Sequence, residues 1–223
     1  RVIRNQAAAS GQVGVLRQGA ADVCLLDQHD ADAILVAVLG DAPPQGSRTE
    51  VQVEGAVDAL TRIGRPAAAA LIPIYVTASP AAARQIALVI RSMGSEAIDV
   101  LAERLEQSDY PHATAAAALL GEFTETGTTA AAPLVHALAD PRFEVRRETR
   151  RSLRRLGPIA MPALLDELDS PDPHLRWEAA QLLMALPEPP TGALIRILGE
   201  FMDSADVAGR RRAVGALGDL AGP

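Results

Sequence analysis

The chain has 223 residues, of which 48% are hydrophobic but only 3% are aromatic, and its formal net charge is -7. Small aliphatic side chains therefore carry most of the packing, which favours closely packed helices over a sheet sandwich. The single cysteine excludes an internal disulfide and a multi-cysteine metal site, and no apolar run is long enough to span a bilayer.

The N-terminal part predicts an irregular beginning to a repetitive chain. Residues 10–40 predict a degenerate first repeat whose first helix contains RQGAADVCLLDQ (17–28). Cys24 takes a core position in that helix, where we expect a small buried hydrophobe. Segment 41–48 contains two adjacent prolines and predicts a long loop.

Regular repeats occupy residues 49–221. Each opens with a predicted helix that has apolar residues at its eighth and eleventh positions, as one buried face requires. Glycine often follows, and successive copies lie about 30 residues apart. The copies are VEGAVDALTRIG (53–64), ARQIALVIRSMG (83–94), ATAAAALLGEFT (113–124), RRETRRSLRRLG (146–157), RWEAAQLLMALP (176–187) and RRRAVGALGDLA (210–221).

A second apolar-periodic segment lies between successive copies and predicts a second helix. In EAIDVLAERLE (96–106), Ile98, Leu101 and Leu105 share one helical face. The acids on another face are Glu96, Asp99, Glu103 and Glu106. Glycine between the two helices fits a left-handed helix cap. Each unit is therefore a helix, a glycine turn, a second helix and a polar turn.

The stretch EVRRETRRSLRRLGPIAMPALLDELDSPDPHLRWEAA (144–180) resembles the short HEAT-like repeats named after the phycobilisome lyases. Shared features are the V-R start, the glycine near the helix end and the proline before P-A-L-x-x-L. This resemblance implies an all-α, right-handed α-α superhelix of about six helical pairs. It also implies one repeat domain over residues 1–223. Because the chain stops just after a first helix, we expect it to be part of a longer protein.

Catalytic motifs are missing from the sequence. The four histidines lie in different repeats and form no H-x-x-H or H-E-x-x-H pair of metal-ligand spacing. The iron hydroxylase among HEAT-like proteins uses His-Glu dipeptides, and this sequence has none. We therefore expect no catalytic, cofactor-binding or metal-binding residue.

Seven of the fourteen residues from 142 to 155 are arginine. In the short HEAT-like repeats that this sequence resembles, the arginine of the V-R start is often structural. The resemblance therefore implies a structural role for Arg146, Arg176 and Arg210. Asp172 and Asp206 precede the latter two by four residues, the spacing of helical ion pairs. Arg150 occupies a position that is small and apolar in other repeats. We therefore expect its charge to pair with Glu122 or Glu178, or to reach water.

Arginines beyond that set suggest a binding surface. Equivalent positions of stacked first helices form rows, and the row after the V-R arginine contains Arg147, Trp177 and Arg211. Arg151 lies one turn from Arg147. Arginine and tryptophan are enriched at interface hot spots, so we predict that these four residues bind an acidic protein partner. The alternative is that Trp177 only covers its neighbours.

The sequence therefore predicts a non-catalytic, cytoplasmic scaffold for protein–protein interaction, with no membrane contact and no cofactor. The alternative is an enzyme or enzyme subunit, lyase-like or DNA glycosylase-like, as the resemblance allows. Nucleic acid is disfavoured as a partner. HEAT-like glycosylases hold DNA along the second helices, which are acidic here, and acidic helices repel phosphates.

Overall fold

The computed structural model describes residues 60–124, 127–203 and 207–221, and every regular element within them is a helix. The predicted first repeat, the loop and Cys24 lie outside these residues. The described part confirms the all-α, HEAT-like repeat architecture expected from the sequence. Its helices follow one another with short turns, and none of them is long and apolar enough to cross a membrane.

The described residues divide into two compact units, with the boundary between Leu119 and Leu120. Helices of the first unit are α1 (Arg65–Thr77), α2 (Pro80–Ser92), α3 (Ser95–Gln107) and α4 (Tyr110–Leu120), the last of which ends one residue into the second unit. Those of the second are α5 (Gly127–His136), α6 (Phe143–Leu156), α7 (Met161–Glu167), α8 (Pro173–Met184), α9 (Thr191–Met202) and α10 (Val207–Ala221). Single 3-10 turns, Ala137–Ala139 and Gly157–Ala160, follow α5 and α6.

The repeat period in the sequence corresponds to a buried position in the structure. Leucine or isoleucine at the eighth position is 0–2% exposed in five of the six first-helix copies, at Leu60, Ile90, Leu120, Leu153 and Leu183, and Leu217 of the sixth copy is partly buried. Each of the five buried side chains removes a full aliphatic surface from water, a gain of about 1.5–3 kcal/mol. The predicted apolar positions therefore form the core of the repeats.

Second helices confirm their predicted two-faced pattern. In α3, Ile98, Leu101 and Leu105 are at most 2% exposed. The four acidic residues assigned to the opposite face are exposed. In the first unit α1 packs against α2 and α3; in the second, α5 packs against α6 and α7, and α8 against α7 and α9.

Glycine joins the two helices of a repeat at Gly64, Gly94 and Gly157, whose φ angles are 67°, 63° and 59°. Positive φ confirms the conformation expected for glycine at these turns. The ψ angles lie between -130° and -135°, outside the left-handed helical region that the sequence suggested. Gly64 and Gly94 stand at the N-cap of the second helix, so the glycine redirects the chain in one residue.

Candidate interaction surface

Helix α6 contains most of the arginine-rich stretch, and its faces differ in their surroundings. The buried face consists of Val145, Thr149, Ser152, Leu153 and Leu156. A Cβ atom added to Gly121 would lie 2.7 Å from the Ser152 Cβ and 2.9 Å from its Cα. The absence of a side chain at Gly121 thus allows the backbone before α5 to approach α6 closely. This packing fixes which arginines of α6 face outward.

Arg146 and Arg176, the predicted structural arginines, bind backbone carbonyls of the turn before their own helix. Arg146 Nη1 donates to the oxygens of Asp140 and Pro141 over 2.6 and 2.9 Å. Arg176 Nη1 donates to those of Ser170 and Pro171 over 2.8 and 3.3 Å. Equivalent positions therefore make equivalent contacts, which supports a structural role.

The partner proposed for Arg176 from sequence spacing was wrong. The Asp172 carboxylate accepts a hydrogen bond from the His174 backbone amide at 2.8 Å and caps α8 instead. An N-cap carboxylate already satisfies a free amide at the helix start, so the arginine turns to the preceding carbonyls. Asp206, the acid assigned to Arg210, lies outside the described residues.

The turn before α6 is held by Asp140 and Arg142. Arg142 Nε donates to Asp140 Oδ1 at 2.8 Å and Nη2 to Oδ2 at 2.6 Å, and the Arg142 amide donates to Oδ1 at 2.8 Å. These hydrogen bonds hold the pKa of Asp140 below its ordinary value. The carboxylate therefore stays charged and fixes the position from which α6 begins.

Arg150 confirms the pairing expected from its unusual repeat position. Its Nε and Nη2 donate to Glu178 Oε2 and Oε1 of α8, at 2.6 and 2.7 Å. Glu178 is 7% exposed. The bidentate contact raises the pKa of Arg150 above its ordinary value. The two charges therefore tie neighbouring first helices together.

Glu122, the other acid considered for Arg150, binds Arg155 instead. Arg155 therefore also has a carboxylate partner. Together, Arg146, Arg150 and Arg155 show that three arginines of α6 make specific contacts along its flanks.

A different group of side chains occupies the outward face of α6. We call Phe143, Arg147, Arg151 and Arg154 the α6 stripe, because their spacing of four, four and three residues puts them on one helical face. All four are exposed. Arg151 makes a long 3.8 Å contact with Glu148 and remains 73% exposed. Among the described residues, Arg147 and Arg154 have no ion-pair partner.

Trp177 does not share this exposure. The indole is 8% exposed and packs with Leu198 and Ala213 in a hydrophobic cluster. Its ring meets that of Phe201 edge-on at 5.5 Å between centroids. The Arg212 guanidinium lies 5.2 Å from the indole centroid. Burial therefore assigns the indole to packing between α8, α9 and α10.

The three residues of the predicted row, Arg147, Trp177 and Arg211, thus differ in exposure. Arg147 and Arg211 are exposed at the two ends, but Trp177 is covered between them. Arg212, and not Arg211, is the arginine that reaches the indole. The repeat alignment placed these residues at equivalent positions, but neighbouring side chains give those positions different exposure.

Sequence reasoning missed two members of the α6 stripe, Phe143 and Arg154. On α6 the exposed aromatic residue is Phe143, at 57%, whereas Trp177 of α8 is 8% exposed. A helical projection of residues 143–154 contains the signal, since it groups these four side chains on one face. Comparison by repeat rows hid the signal because it considered one position per helix.

Second helices also contain arginines that bridge acidic residues. Arg65 of α1 lies 3.5 Å from Asp99 and 2.7 Å from Glu103 of α3. Arg196 of α9 lies 2.9 Å from Asp169 and 3.3 Å from its own-helix neighbour Glu200. Much of the acidic character of these helices is therefore balanced locally.

No group of three or more His, Cys, Asp or Glu side chains that could hold a metal ion occurs within 60–124, 127–203 and 207–221. No protein-family model and no curated protein matches the sequence.

Three solved structures are similar to the chain over most of its length. An engineered protein is 20% identical, with 92% of this chain and 96% of that one covered and a TM-score of 0.45. An archaeal HEAT-like repeats protein from Thermococcus onnurineus NA1 is 15% identical, with coverage of 95% and 80% and a TM-score of 0.48. The complex of CpcE and CpcF of phycocyanin lyase from Nostoc sp. PCC7120 is 22% identical, with coverage of 83% and 75% and a TM-score of 0.32. At these identities and scores the likeness assigns no activity to this chain.

Proposed function

We propose that this chain is a non-catalytic HEAT-like scaffold that binds an acidic protein partner. The observation that carries the proposal is that only some of the α6 arginines have partners within the chain. Arg146, Arg150 and Arg155 contact carbonyls or carboxylates of the same chain. Arg147 and Arg154 have no ion-pair partner among the described residues, Arg151 has only the 3.8 Å contact with Glu148, and all three are exposed.

Clustered like charges repel one another and favour a ligand of opposite charge. Three guanidinium groups on one face raise the local positive potential, although the whole chain has a net charge of -7. Such a patch accelerates encounter with an acidic surface. Arg211 on α10 adds a further exposed guanidinium in the same unit. Trp177 supports the surface from within, by packing α8 against α9 and α10.

The acidic second helices favour a protein partner over a nucleic acid. Arg65 and Arg196 balance some of these acids, but Glu96 and Glu106 of α3 and Asp166 of α7 are exposed and have no ion-pair partner among the described residues. A polyanion that contacted these carboxylates would meet repulsion. A partner confined to α6 avoids them. We propose a cytoplasmic setting, which suits a chain with one cysteine.

Charge reversal at two stripe arginines tests the proposal. Partners captured by the intact chain are identified, and their affinity is then measured for the Arg147→Glu/Arg151→Glu variant at low and high salt. We expect at least a tenfold loss of affinity at low salt, with unchanged helicity. Arg91→Glu on α2 is the matched control, since Arg91 is also exposed and lies in the other unit.

Three results would contradict the proposal. Unchanged binding in the double reversal would show that the arginines are only a solvated face. Tight, salt-steep binding to duplex DNA that the reversal abolishes would establish a nucleic-acid surface. Bilin or metal retained by the purified protein would favour the lyase-like alternative.

A further inference from the structure

The α6 stripe has two chemically different ends. Phe143 lies at the N-terminal end, and the three arginines follow at four, eight and eleven residues. At a rise of about 1.5 Å per residue, the stripe extends about 16 Å along the helix. An apolar group followed by regularly spaced cations is more specific than a basic patch alone, because the ligand must satisfy both in one orientation.

The apolar end is exposed and has a neighbour on its own helix. Phe143 is 57% exposed, and the Arg146 guanidinium lies 5.9 Å from its ring centroid. Arg146 is itself hydrogen-bonded to the carbonyls of Asp140 and Pro141. The exposed part of the ring is therefore available to an apolar group of a ligand.

The charged end has the spacing of a helical ligand. Steps from Arg147 to Arg151 and from Arg151 to Arg154 rise about 6 and 4.5 Å. A helical ligand has residues on one face at the same two intervals, whereas in an extended ligand the side chains on one face recur every ~6.6 Å. Three carboxylates separated by the same two intervals, of three and four residues, therefore match the arginines along their whole length.

The direction of the ligand follows from helix dipoles. Acidic residues stabilise a helix at its N-terminal end, so an acidic segment places its carboxylates first and its apolar residue later. Antiparallel packing then brings the apolar residue to Phe143 and the carboxylates to the arginines. It also brings the positive end of each helix dipole close to the negative end of the other.

We infer that the α6 stripe binds, antiparallel, an acidic helix of a partner protein that has a large apolar residue at the C-terminal end of its acidic face. This inference rests on the proposed function and specifies the partner. Arg147, Arg151 and Arg154 pair with its carboxylates. Phe143 packs on its apolar residue.

A synthetic helix tests the inference directly. The probe is a cross-linked, alanine-rich peptide with glutamate at its first, fourth and eighth positions and leucine at its twelfth. The control peptide has alanine in place of the leucine. Binding of both to the full chain is measured at low salt. We expect the leucine peptide to bind about tenfold more tightly, as burial of one aliphatic side chain against an aromatic ring allows.

Protein variants assign that difference to residues. Phe143→Ala should remove the tenfold preference and leave binding of the alanine peptide unchanged. Arg147→Gln/Arg151→Gln should weaken both peptides at least tenfold. Leu88→Ala on α2 is the matched control, since Leu88 is another exposed apolar residue, at 48%, and should change neither affinity.

Failure of the inference and failure of the proposed function give different results. Equal binding of both peptides, lost in the arginine variant, would overturn the apolar end while the acidic-partner proposal survives. Tighter binding of a peptide with the reversed sequence would overturn the antiparallel direction. No peptide binding, together with arginine-dependent binding to duplex DNA or phosphatidylserine vesicles, would overturn both.

Discussion

Arg150 shows how one residue can depart from a repeat pattern without disturbing the fold. Other first helices have a small apolar residue at this position, such as Ala180. Arginine is tolerated because Glu178, one repeat later, offers both carboxylate oxygens within 2.7 Å. His174 lies 3.9 Å from the same carboxylate. The position thus holds an ion pair between α6 and α8 in place of an apolar contact.

Removal of one partner of this pair should cost more than removal of both. Arg150→Leu leaves the nearly buried Glu178 carboxylate without its guanidinium, and we expect a loss of about 2–4 kcal/mol of unfolding free energy. The Arg150→Leu/Glu178→Leu variant should be much closer to the parent. Urea unfolding of both single variants and the double variant gives the coupling energy. Additive losses would show that the pair contributes nothing specific.

Asp140 provides a second prediction at the residue scale, this one dependent on pH. Its pKa is lowered in the folded chain, chiefly by the Arg142 hydrogen bonds. Its stabilising contribution is therefore present above the unfolded pKa of about 3.9 and is lost as pH falls through the lower folded pKa. Asp140→Asn should be less stable at neutral pH, and its deficit should shrink below about pH 4.

Urea unfolding of Asp140→Asn and of the parent between neutral pH and about pH 3 measures this difference. Combining Asp140→Asn with Arg142→Ala in a double-mutant cycle measures how much of the loss belongs to this pair. A deficit that stays constant across the acid range would mean that the Asp140 charge does not stabilise this turn.

At the scale of elements, glycine turns determine where one helix ends and the next begins. Gly94 has a φ of 63° and a ψ of -135°, a combination that side-chain-bearing residues avoid. Space is not the constraint there, because an added Cβ would meet no atom within 4 Å. Backbone conformation alone therefore requires glycine at this turn.

Two alanine substitutions separate conformation from space. Gly94→Ala should lower stability by about 1–3 kcal/mol through backbone strain. Gly199→Ala, inside α9 and equally open, should raise stability by about 0.5–1 kcal/mol, because alanine favours the helix interior. Thermal unfolding of both variants measures the two changes in stability. Equal effects in the two variants would contradict a special conformation at Gly94.

At the scale of the whole molecule, much of the fold could be predicted because the apolar residues that recur with the repeat period are the residues that the structure buries. Leu153 and Leu183 lie 30 residues apart, and both are buried at equivalent positions. Side-chain exposure at the candidate surface could not be predicted in the same way. Trp177 is covered because Phe201 and Arg212 from two other helices lie against it. Such contacts depend on tertiary neighbours, and a row of aligned positions does not contain them.

The choice of polar partners was predictable where geometry left few options. Arg150 needed an acid one repeat away, and Glu178 was one of two candidates. Arg176 had more options, since turn carbonyls and the Asp172 carboxylate lay within reach of one flexible side chain. The Asp172 carboxylate caps α8 and does not pair with Arg176. Sequence spacing does not show which of these two contacts forms.

Stability of the whole chain should follow from contacts between neighbouring helices. In the described parts, α1 packs against α2 and α3, and helices from α5 onward pack against neighbours in chain order or in the next repeat. In a repeat array of this kind, no single distant contact holds the rest together. Fragments 1–108 and 109–223, separated between α3 and α4, should therefore each retain substantial helix in far-ultraviolet circular dichroism. A comparison cut within α6, after Thr149, should remove more helix. It separates Val145 and Thr149 from Ser152, Leu153 and Leu156, which together form the buried face of that helix. Complete loss of structure in both pieces of the first cut would show that folding is cooperative over the whole chain and that contacts between neighbours do not suffice.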